Sequence, residues 1–143
     1  MSDKYDVLKL ENQICFPLYA CSKEVVKMYK PFLDEIGLTY TQYIAMMVLW
    51  EHKKLSVKEI GEYLFLDSGT LTPLLKTLEK KGYVNRYRSE EDERVLFAEI
   101  TKEGMNLREK AVDIPGKMAG CIKLPAEDAA NLYRILNSLM KEL

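Results

Sequence analysis

The amino-acid sequence predicts a mainly α-helical fold with a small β-hairpin wing, namely a winged helix-turn-helix over about residues 40–100. Three patterns predict it. Ser56 and Glu59 form a capping box that opens one helix, and a second helix follows a short break and ends at the basic turn Lys80–Gly82. Two strand-like stretches then flank an acidic tip. A helix-turn-helix followed by a β-hairpin is a shape that reads duplex DNA.

The composition is typical of one soluble globular domain over residues 1–143. Hydrophobic residues make up 48% and charged residues 30% of the chain. We expect neither a signal peptide nor a membrane span, because the N-terminus is polar and no apolar run approaches the roughly 18 residues that a span needs. Three cysteines without a short spacing predict a reducing compartment rather than a disulfide framework, and therefore a cytoplasmic protein.

The N-terminal third predicts two helices. A helical pattern runs from about Leu8 to Leu33, although Pro17 predicts a start or a kink and Pro31 predicts a bend or an end. The segment Thr39–Gln42 is a second capping box. It opens a helix from about Tyr40 to His52 that is apolar on almost all sides, so we expect this helix to be the buried centre of the domain.

The helix-turn-helix follows. Apolar residues at helical spacing mark its first helix, and Leu66–Gly69 breaks that helix and offers Asp67 or Ser68 as the next N-cap. The second helix is built on leucines at positions 71, 74, 75 and 78. Pro73 removes one intrahelical hydrogen bond there and predicts a slight kink.

The polar face of this second helix is the predicted reading surface. Hydroxyls near a helix N-terminus suit phosphates and base edges, and lysines suit phosphates. The candidate DNA-binding residues in the helix and the strand after it are Ser68, Thr70, Thr72, Lys76, Lys80, Arg86 and Arg88. Between Ser68 and Ser89 five basic side chains accompany a single carboxylate, although the formal net charge of the chain is -1. The alternative is a capped and solvated helix face.

The wing is predicted from its charges. The strands are expected at Tyr83–Arg88 and Arg94–Ile100, so Ser89–Glu93 forms the tip, whose four carboxylates would repel DNA if all of them faced it. Asp92 can brace the guanidinium of Arg94, two residues away on one face of a strand. A braced arginine suits a narrow, electronegative minor groove. The alternative is a solvated hairpin whose ion pair contributes little.

The C-terminal region predicts two more helices and a means of assembly. Thr101 caps a long helix that Pro115–Gly116 must disturb, and Pro125 fits the first turn of a last helix. The helices over about residues 8–36 and 101–143 carry more apolar surface than a winged domain can cover. This surface predicts a homodimer with two recognition helices and two wings on one side, and a single folded monomer is the alternative.

Four segments carry a resemblance to a known family: Leu10–Phe16, Leu38–Tyr43, Leu66–Lys76 and Arg88–Arg94. The last two resemble the MarR family of bacterial winged-helix repressors, and the first two narrow the resemblance to the OhrR-type organic hydroperoxide sensors. The resemblance covers nearly the whole chain. It implies an obligate homodimer that binds an inverted-repeat double-stranded DNA operator, with Arg94 in the minor groove and an organic hydroperoxide as the oxidising signal. The chain departs from the family pattern at Pro17 and at Thr41, where a proline is common.

The candidate sensing residue is Cys15, early in the first predicted helix. A buried cysteine is ordinarily an inert small hydrophobe, and tyrosines ordinarily pack in cores and interfaces. However, Tyr19 and Tyr29 share its helical stripe, and phenol hydroxyls and a helix N-terminus both favour a thiolate. The resemblance implies that Cys15 is the peroxide-reactive thiolate, with Tyr29 and Tyr40 of the partner subunit as its hydrogen-bond donors and Tyr19 close by. Since Tyr29 lies about 21 Å further along the same helix, at about 1.5 Å per residue, its contact with Cys15 needs two subunits.

The other two cysteines are expected to differ. Cys21 lies about 9 Å along the helix from Cys15, beyond the roughly 7 Å Cα separation that a disulfide allows, and is interpreted as a packing residue. The resemblance implies a resolving cysteine near the end of the long helix, where Cys121 falls, and hence an intersubunit Cys15–Cys121 disulfide. Without a resolving residue, a small thiol would capture the sulfenic acid or over-oxidation would follow.

No metal or cofactor chemistry is indicated. His52 fits a helix C-terminus better than a metal site, and no cysteine–histidine cluster has metal-ligand spacing. We therefore expect no metal, no cofactor and no enzymatic activity. Two alternative functions remain. One is a repressor that is released by a small aromatic ligand, and the other is a thiol peroxidase that uses Cys15 catalytically.

Overall fold

The computed structural model describes residues 2–143, and most of them are helical. The α-helices are α1 (Cys15–Asp34), α2 (Tyr40–His52), α3 (Val57–Leu64), α4 (Ser68–Lys80), α5 (Lys102–Ala111), α6 (Ile114–Cys121) and α7 (Ala126–Met140). The strands are β1 (Lys54–Ser56), β2 (Val84–Arg88) and β3 (Leu96–Ile100). Two short 3-10 helices, Asp6–Leu8 and Leu10–Asn12, precede α1. The predicted fold class, a mainly α winged helix-turn-helix, is confirmed.

The wing belongs to a three-stranded antiparallel sheet that the described residues form in the order β1–β3–β2. β2 and β3 make the predicted hairpin, with Val84 opposite Ile100. β1 pairs with the other edge of β3, where Leu55 lies opposite Ala98. β1 was not predicted, because three residues are too few to show the alternation of apolar and polar side chains that marks a strand.

Side-chain caps set the starts of the helices around the sheet. Thr39 accepts the backbone N–H of Gln42 at 3.3 Å, and the Gln42 side chain accepts the backbone N–H of Thr39 at 3.1 Å. Ser56 and Glu59 make the same reciprocal pair at 3.1 and 3.0 Å. Both predicted capping boxes are therefore confirmed, and each satisfies two backbone donors that a helix start leaves open.

The turn between α3 and α4 is tight. The N-cap of α4 is Asp67, whose Oδ1 accepts a backbone N–H of the first turn at 2.8 Å, so Ser68 is the first residue of the helix. A Cβ atom on Gly61 would lie 2.7 Å from the carbonyl oxygen of Leu66. Glycine therefore allows the backbone of the turn to approach α3 this closely.

α1 begins at Cys15, whereas the predicted helix began near Leu8. The residues before it form 3-10 turns that Gln13 holds, since its Nε2 donates to two backbone carbonyls at 2.7 and 2.8 Å. The apolar spacing continues through these turns, which is why periodicity placed the start too early. Pro17 lies in the first turn, where backbone N–H groups have no intrahelical partner, and α1 ends soon after Pro31.

The chain divides into two compact units, one up to Val112 and one over Asp113–Leu143. In the first unit α2 is the centre, as predicted, and contacts α1, α3, α4, α5, β1 and β3. The buried residues of α2 and α4 are Tyr43, Ala45, Met46, Leu49, Leu71, Leu74, Leu75 and Leu78. Each fully buried leucine stabilises the fold by about 1.5–3 kcal/mol, so these two helices fix one another in place.

The second unit contains α6 and α7. The long helix predicted after the wing is divided into α5 and α6, with Pro115 in the first turn of α6, which is the disturbance predicted at Pro115–Gly116. Pro125 is the N-cap of α7, one residue before the helix itself begins. All of Ala126–Met140 is described, and no residue in it is buried. In residues 2–143, none of the helices has the length and the apolar character that crossing a membrane requires.

Candidate functional site

α4 presents the predicted reading face to solvent. Its leucines are buried, so the opposite side carries Ser68, Thr70, Lys76 and Lys80, all exposed, while Thr72 is half-buried. The hydroxyls lie near the N-terminal end of the helix, where its backbone N–H groups carry partial positive charge. This face therefore carries hydrogen-bond donors, and phosphates and base edges offer the matching acceptors. The contact of these residues with DNA stays a prediction.

Arg94 is held by Asp92 at the tip of the wing. Nε and Nη2 of Arg94 donate to Oδ1 and Oδ2 of Asp92 at 3.0 and 3.2 Å, and its backbone N–H donates to Oδ1 at 3.1 Å. The Arg94 side chain is nevertheless 90% exposed. The expectation that the pair lies on one face of a strand is wrong, because β3 begins only at Leu96 and both residues belong to the preceding turn.

The hydrogen bonds from Arg94 also set the charge of the wing tip. They lower the pKa of Asp92, the side-chain bond more than the backbone bond. Because this pKa is lowered, the pair stabilises the turn fully above the ordinary Asp value of about 4, and that stabilisation is lost as the pH falls from there through the lowered pKa of Asp92. The brace is therefore present at neutral pH.

A groove of about 610 Å³ lies between α3, the start of α4 and the base of the wing. Ser68, Thr72 and Arg94 line it, together with Lys58 in the first turn of α3. Lys58 is exposed and was not among the predicted residues. The sequence did give an indication of Lys58. The helix dipole disfavours a positive charge in the first turn, so a lysine at this position suggests a role other than stabilising the helix.

Arg86 is engaged within the fold. Its side chain is 17% exposed, and its Nη2 lies 3.3 Å from Oε1 of Glu79. The backbone N–H of Arg86 donates to the other oxygen of the same carboxylate at 3.0 Å. This pair joins β2 to α4, so the structure gives Arg86 a partner within the fold, and its predicted contact with DNA stays a prediction. Arg88 is exposed, its Nη1 donates to the carbonyl oxygen of Glu93 at 3.3 Å, and it remains a candidate.

Tyr29, Tyr40 and Tyr43 form a cluster of rings, hereafter the phenol cluster. The ring centroids of Tyr29 and Tyr40 are 4.9 Å apart, and that of Tyr43 is 5.8 and 6.4 Å from them. Burial raises the pKa of all three phenols, and Tyr40 raises that of Tyr29 further. The hydroxyls therefore stay protonated at neutral pH, as hydrogen-bond donors must. The sequence places Tyr43 with Tyr40 at the start of the same helix, three residues further on and on the same face, although Tyr43 was not among the predicted hydrogen-bond donors.

Cys15 lies at the opposite end of α1 from the phenol cluster. It is the first residue of α1 and is exposed, whereas Tyr29 lies fourteen residues later in the same unbroken helix, about 21 Å away. One chain therefore does not bring Cys15 together with Tyr29. Tyr19, one turn after the cysteine, is 62% exposed, and the ammonium of Lys23 lies 5.7 Å from the centre of its ring.

The remaining candidates are placed as follows. Cys21 and Cys121 are both free and exposed, so Cys21 does not pack in the core of its own chain. His52 is the last residue of α2, as expected, and its ring stacks on that of Tyr63 with centroids 4.9 Å apart. Among the residues that the structure describes, no group of three or more His, Cys, Asp or Glu side chains could hold a metal ion.

Comparisons with known proteins show which family the chain resembles. The family model described as "Transcriptional regulator SarA/Rot" matches residues 27–111. The organic hydroperoxide resistance transcriptional regulator of Bacillus subtilis is 52% identical over 143 residues, which cover 100% of this chain and 97% of that protein. The HTH-type transcriptional regulator SarZ of Staphylococcus epidermidis is 44% identical over 131 residues, covering 92% of this chain and 88% of that protein.

The solved structures of AbfR of Staphylococcus epidermidis are also similar. Reduced AbfR bound to DNA has a TM-score of 0.80 and 33% identity, with 98% of each chain covered. Overoxidised AbfR bound to DNA has a TM-score of 0.79 and 33% identity, covering 99% of this chain and 100% of that one. Disulfide-formed AbfR has a TM-score of 0.65 and 32% identity, covering 97% of this chain and 94% of that one.

Proposed function

The chain belongs to the MarR-type winged-helix transcriptional regulators, and on that premise we propose that it is a repressor that senses organic hydroperoxide through Cys15. The observation that carries the proposal is the position of Cys15, exposed at one end of α1, with the phenol cluster at the other end. In a dimer, Cys15 of one chain and the phenol cluster of the partner subunit would together form one sensing site. The protein regulates transcription, and we assign it no catalytic turnover.

The DNA-bound form is a homodimer on an inverted-repeat operator. Each α4 would enter a major groove, with Ser68, Thr70 and Thr72 near base edges and Lys76 and Lys80 at phosphates. Each Arg94 would reach the adjacent minor groove, braced by Asp92. Support for the dimer comes from the apolar side chains that one chain leaves exposed, which include Leu132, Ile135 and Leu139 of α7 at 45, 52 and 48% exposure. Operator DNA and free thiols both fit a cytoplasmic location.

The sensing step is a two-electron oxidation of Cys15. The thiolate sulfur attacks the terminal peroxide oxygen, the O–O bond breaks, and the alkoxide takes a proton and leaves as an alcohol. The sulfur becomes a sulfenic acid while the hydroperoxide is reduced. An open hollow of about 680 Å³ is lined by Lys9, Leu10, Glu11, Gln13, Phe16 and Pro17, the last two of which follow Cys15 in the chain, and it would receive the apolar tail of an organic hydroperoxide.

The phenols of the partner subunit hold the reduced state. Tyr29 and Tyr40 would donate hydrogen bonds to the thiolate, and the oxygen added to the sulfur changes those bonds. Oxidation can shift the dimer only because the two dimer geometries bind the reduced and oxidised sulfur differently. Two half-sites must be engaged together, so a partial change in their spacing is enough for release.

A second step forms the released state. The thiol of the partner subunit's Cys121 would condense with the sulfenic acid, forming the disulfide and releasing water. AbfR has been solved on DNA both reduced and overoxidised, and separately in a disulfide form, which favours a disulfide over simple oxidation as the form that leaves the operator. A small thiol could take the place of Cys121 in the same reaction.

The test is a gel shift on a self-complementary operator with and without cumene hydroperoxide. The parent chain and a Cys21→Ser control should leave the DNA, whereas Cys15→Ser should remain bound. Cys21 is a matched control because it is an exposed thiol on the same helix. Release of Cys15→Ser by the hydroperoxide would exclude the thiol mechanism and favour a ligand-released repressor.

Two further measurements separate the remaining alternatives. Non-reducing electrophoresis of the oxidised protein should show a covalent dimer that is absent in Cys121→Ser. A covalent dimer that persists in this variant would show that another cysteine reacts with the sulfenic acid. Hydroperoxide consumption without a reductant should stop at about one equivalent per chain. With a thiol reductant present, the chain should add little to the rate at which the reductant alone consumes hydroperoxide, and a large acceleration would instead indicate a thiol peroxidase.

A further inference from the structure

Trp50 connects the phenol cluster to the rest of the winged domain. Its ring lies edge-on to that of Tyr43, with centroids 6.3 Å apart, and Tyr43 is 3% exposed. Tyr43 in turn contacts the rings of Tyr29 and Tyr40. A displacement of the phenol cluster would therefore reach Trp50 through one buried ring.

The indole of Trp50 makes one polar contact with a distant part of the chain. Its Nε1–H donates to the carbonyl oxygen of Gly104, in the first turn of α5, at 2.8 Å. The backbone N–H of Gly104 donates to Oγ1 of Thr101 at 3.0 Å, and that hydroxyl donates to the carbonyl oxygen of Gly82 at 2.6 Å. The backbone N–H of Thr101 donates to the carbonyl oxygen of Tyr83 at 3.0 Å. Gly82 and Tyr83 connect the end of α4 to the first strand of the wing hairpin.

The chain is closely packed where Gly104 meets Tyr83. A Cβ atom on Gly104 would lie 2.3 Å from the carbonyl oxygen of Tyr83 and 2.8 Å from Cγ1 of Ile100. The two backbones are therefore in direct contact. A shift of Gly104 must be accompanied by a shift of Tyr83, because packed interiors respond to displacement by moving together.

We propose that Trp50 is a positioning residue that couples the phenol cluster to the end of the recognition helix α4 and the base of the wing. This inference rests on the proposed function and adds the route by which oxidation at Cys15 reaches the DNA-binding elements. When the phenols lose their bonds to the reduced sulfur, Tyr43 and Trp50 move, and the indole bond to Gly104 carries that movement to the Thr101–Gly82 junction. The route is contiguous, and each contact in it is a ring contact or a hydrogen bond.

The test replaces Trp50 by phenylalanine, which keeps a ring beside Tyr43 and removes the N–H donor. Operator affinity is measured before and after cumene hydroperoxide, and mass spectrometry measures the oxidised fraction of Cys15 in the same samples. Trp50→Phe should be oxidised to the same extent as the parent chain, and its loss of operator affinity on oxidation should be about tenfold smaller. An equal loss of affinity in the two proteins would overturn the inference.

Val48→Ala is the control for a general loss of packing. Val48 is a half-buried residue of the same helix, and its truncation leaves the indole bond in place. This variant should respond to oxidation as the parent chain does, and a response reduced as much as that of Trp50→Phe would overturn the inference. If Cys15 of the parent chain is oxidised without loss of the operator, the proposed function fails and the inference with it. If only the Trp50→Phe result fails, the proposed function stands.

The parent chain offers a second measurement that needs no folded variant. Trp50 is the only tryptophan of the sequence, so emission excited where tyrosine does not absorb reports on this residue alone. Cumene hydroperoxide should change the emission maximum or intensity in the parent chain and leave the emission of Cys15→Ser unchanged. Release of the operator with no change in the emission would overturn the inference.

Discussion

Arg94 extends from the wing tip with 90% of its side chain exposed, while Asp92 fixes its guanidinium through two side-chain bonds. A held, exposed arginine loses less freedom on entering a minor groove than a mobile one does. Arg94→Ala should therefore weaken operator binding by about 1–3 kcal/mol in a gel shift at fixed salt. Lys110→Ala, which removes one positive charge from the exposed surface of α5, should have little effect. Equal losses of operator affinity in the two variants would show that Arg94 contributes only its positive charge.

Single residues were predictable where the relevant partner is close in the sequence. Asp92 and Arg94 are two residues apart, so their pairing was predicted and is confirmed, although in a turn instead of a strand. The pair of Arg86 with Glu79 was not predicted, because the two residues belong to different elements and no spacing reveals it. Trp50 escaped prediction for the same reason, since Gly104 lies 54 residues away.

The recognition helix depends on its N-cap. Asp67 accepts a backbone N–H of the first turn of α4, and loss of such a cap costs about 1 kcal/mol. Asp67→Ala should lower the free energy of unfolding by that amount in urea titrations and should weaken operator binding, because the first turn carries Ser68 and Thr70. Asp67→Ser keeps an acceptor and should recover most of both losses. Serine and alanine variants of equal stability would show that the cap bond contributes nothing.

The starts of helices were predictable to within one or two residues where a capping residue marks them in the sequence. The Thr39–Gln42 and Ser56–Glu59 boxes placed α2 and α3, and Thr101 placed α5. The start of α1 was misplaced because the apolar period runs on through the 3-10 turns before Cys15. β1 was missed because its pairing with β3 exists only in the folded chain.

At the scale of the whole molecule, α7 carries an apolar stripe that no residue of its own compact unit buries. We expect the partner subunit to cover this stripe, so Ile135→Glu should place an unpaired carboxylate in the interface and raise the dimer dissociation constant at least about tenfold in sedimentation experiments. Ala130→Glu, on the opposite face of the same helix, should leave the dimer intact. Dissociation by both variants, or by neither, would place the interface elsewhere.

The fold class followed from the order of the elements, and the prediction of a homodimer follows from excess apolar surface on the terminal helices. The sensor itself could be predicted only in part. For the proposed sensor, the sequence indicated Cys15, Tyr29 and Tyr40 and placed Tyr43 beside Tyr40, but the contact of Tyr29 with the two tyrosines of α2 depends on the packing of α1 against α2. That packing depends on the shapes of many side chains at once, so no local sequence pattern predicts it.

The separation of Cys15 and Tyr29 along one unbroken helix has a consequence for dimers made of two different chains. Each chain would contribute its cysteine to one sensor and its phenols to the other. In a mixed dimer of a Cys15→Ser chain with a Tyr29→Phe chain, both lesions fall in the same sensor and the second sensor is whole. Mixed dimers purified through two different affinity tags should therefore leave the operator on hydroperoxide treatment in a gel shift, whereas dimers in which both chains lack Cys15 should remain bound.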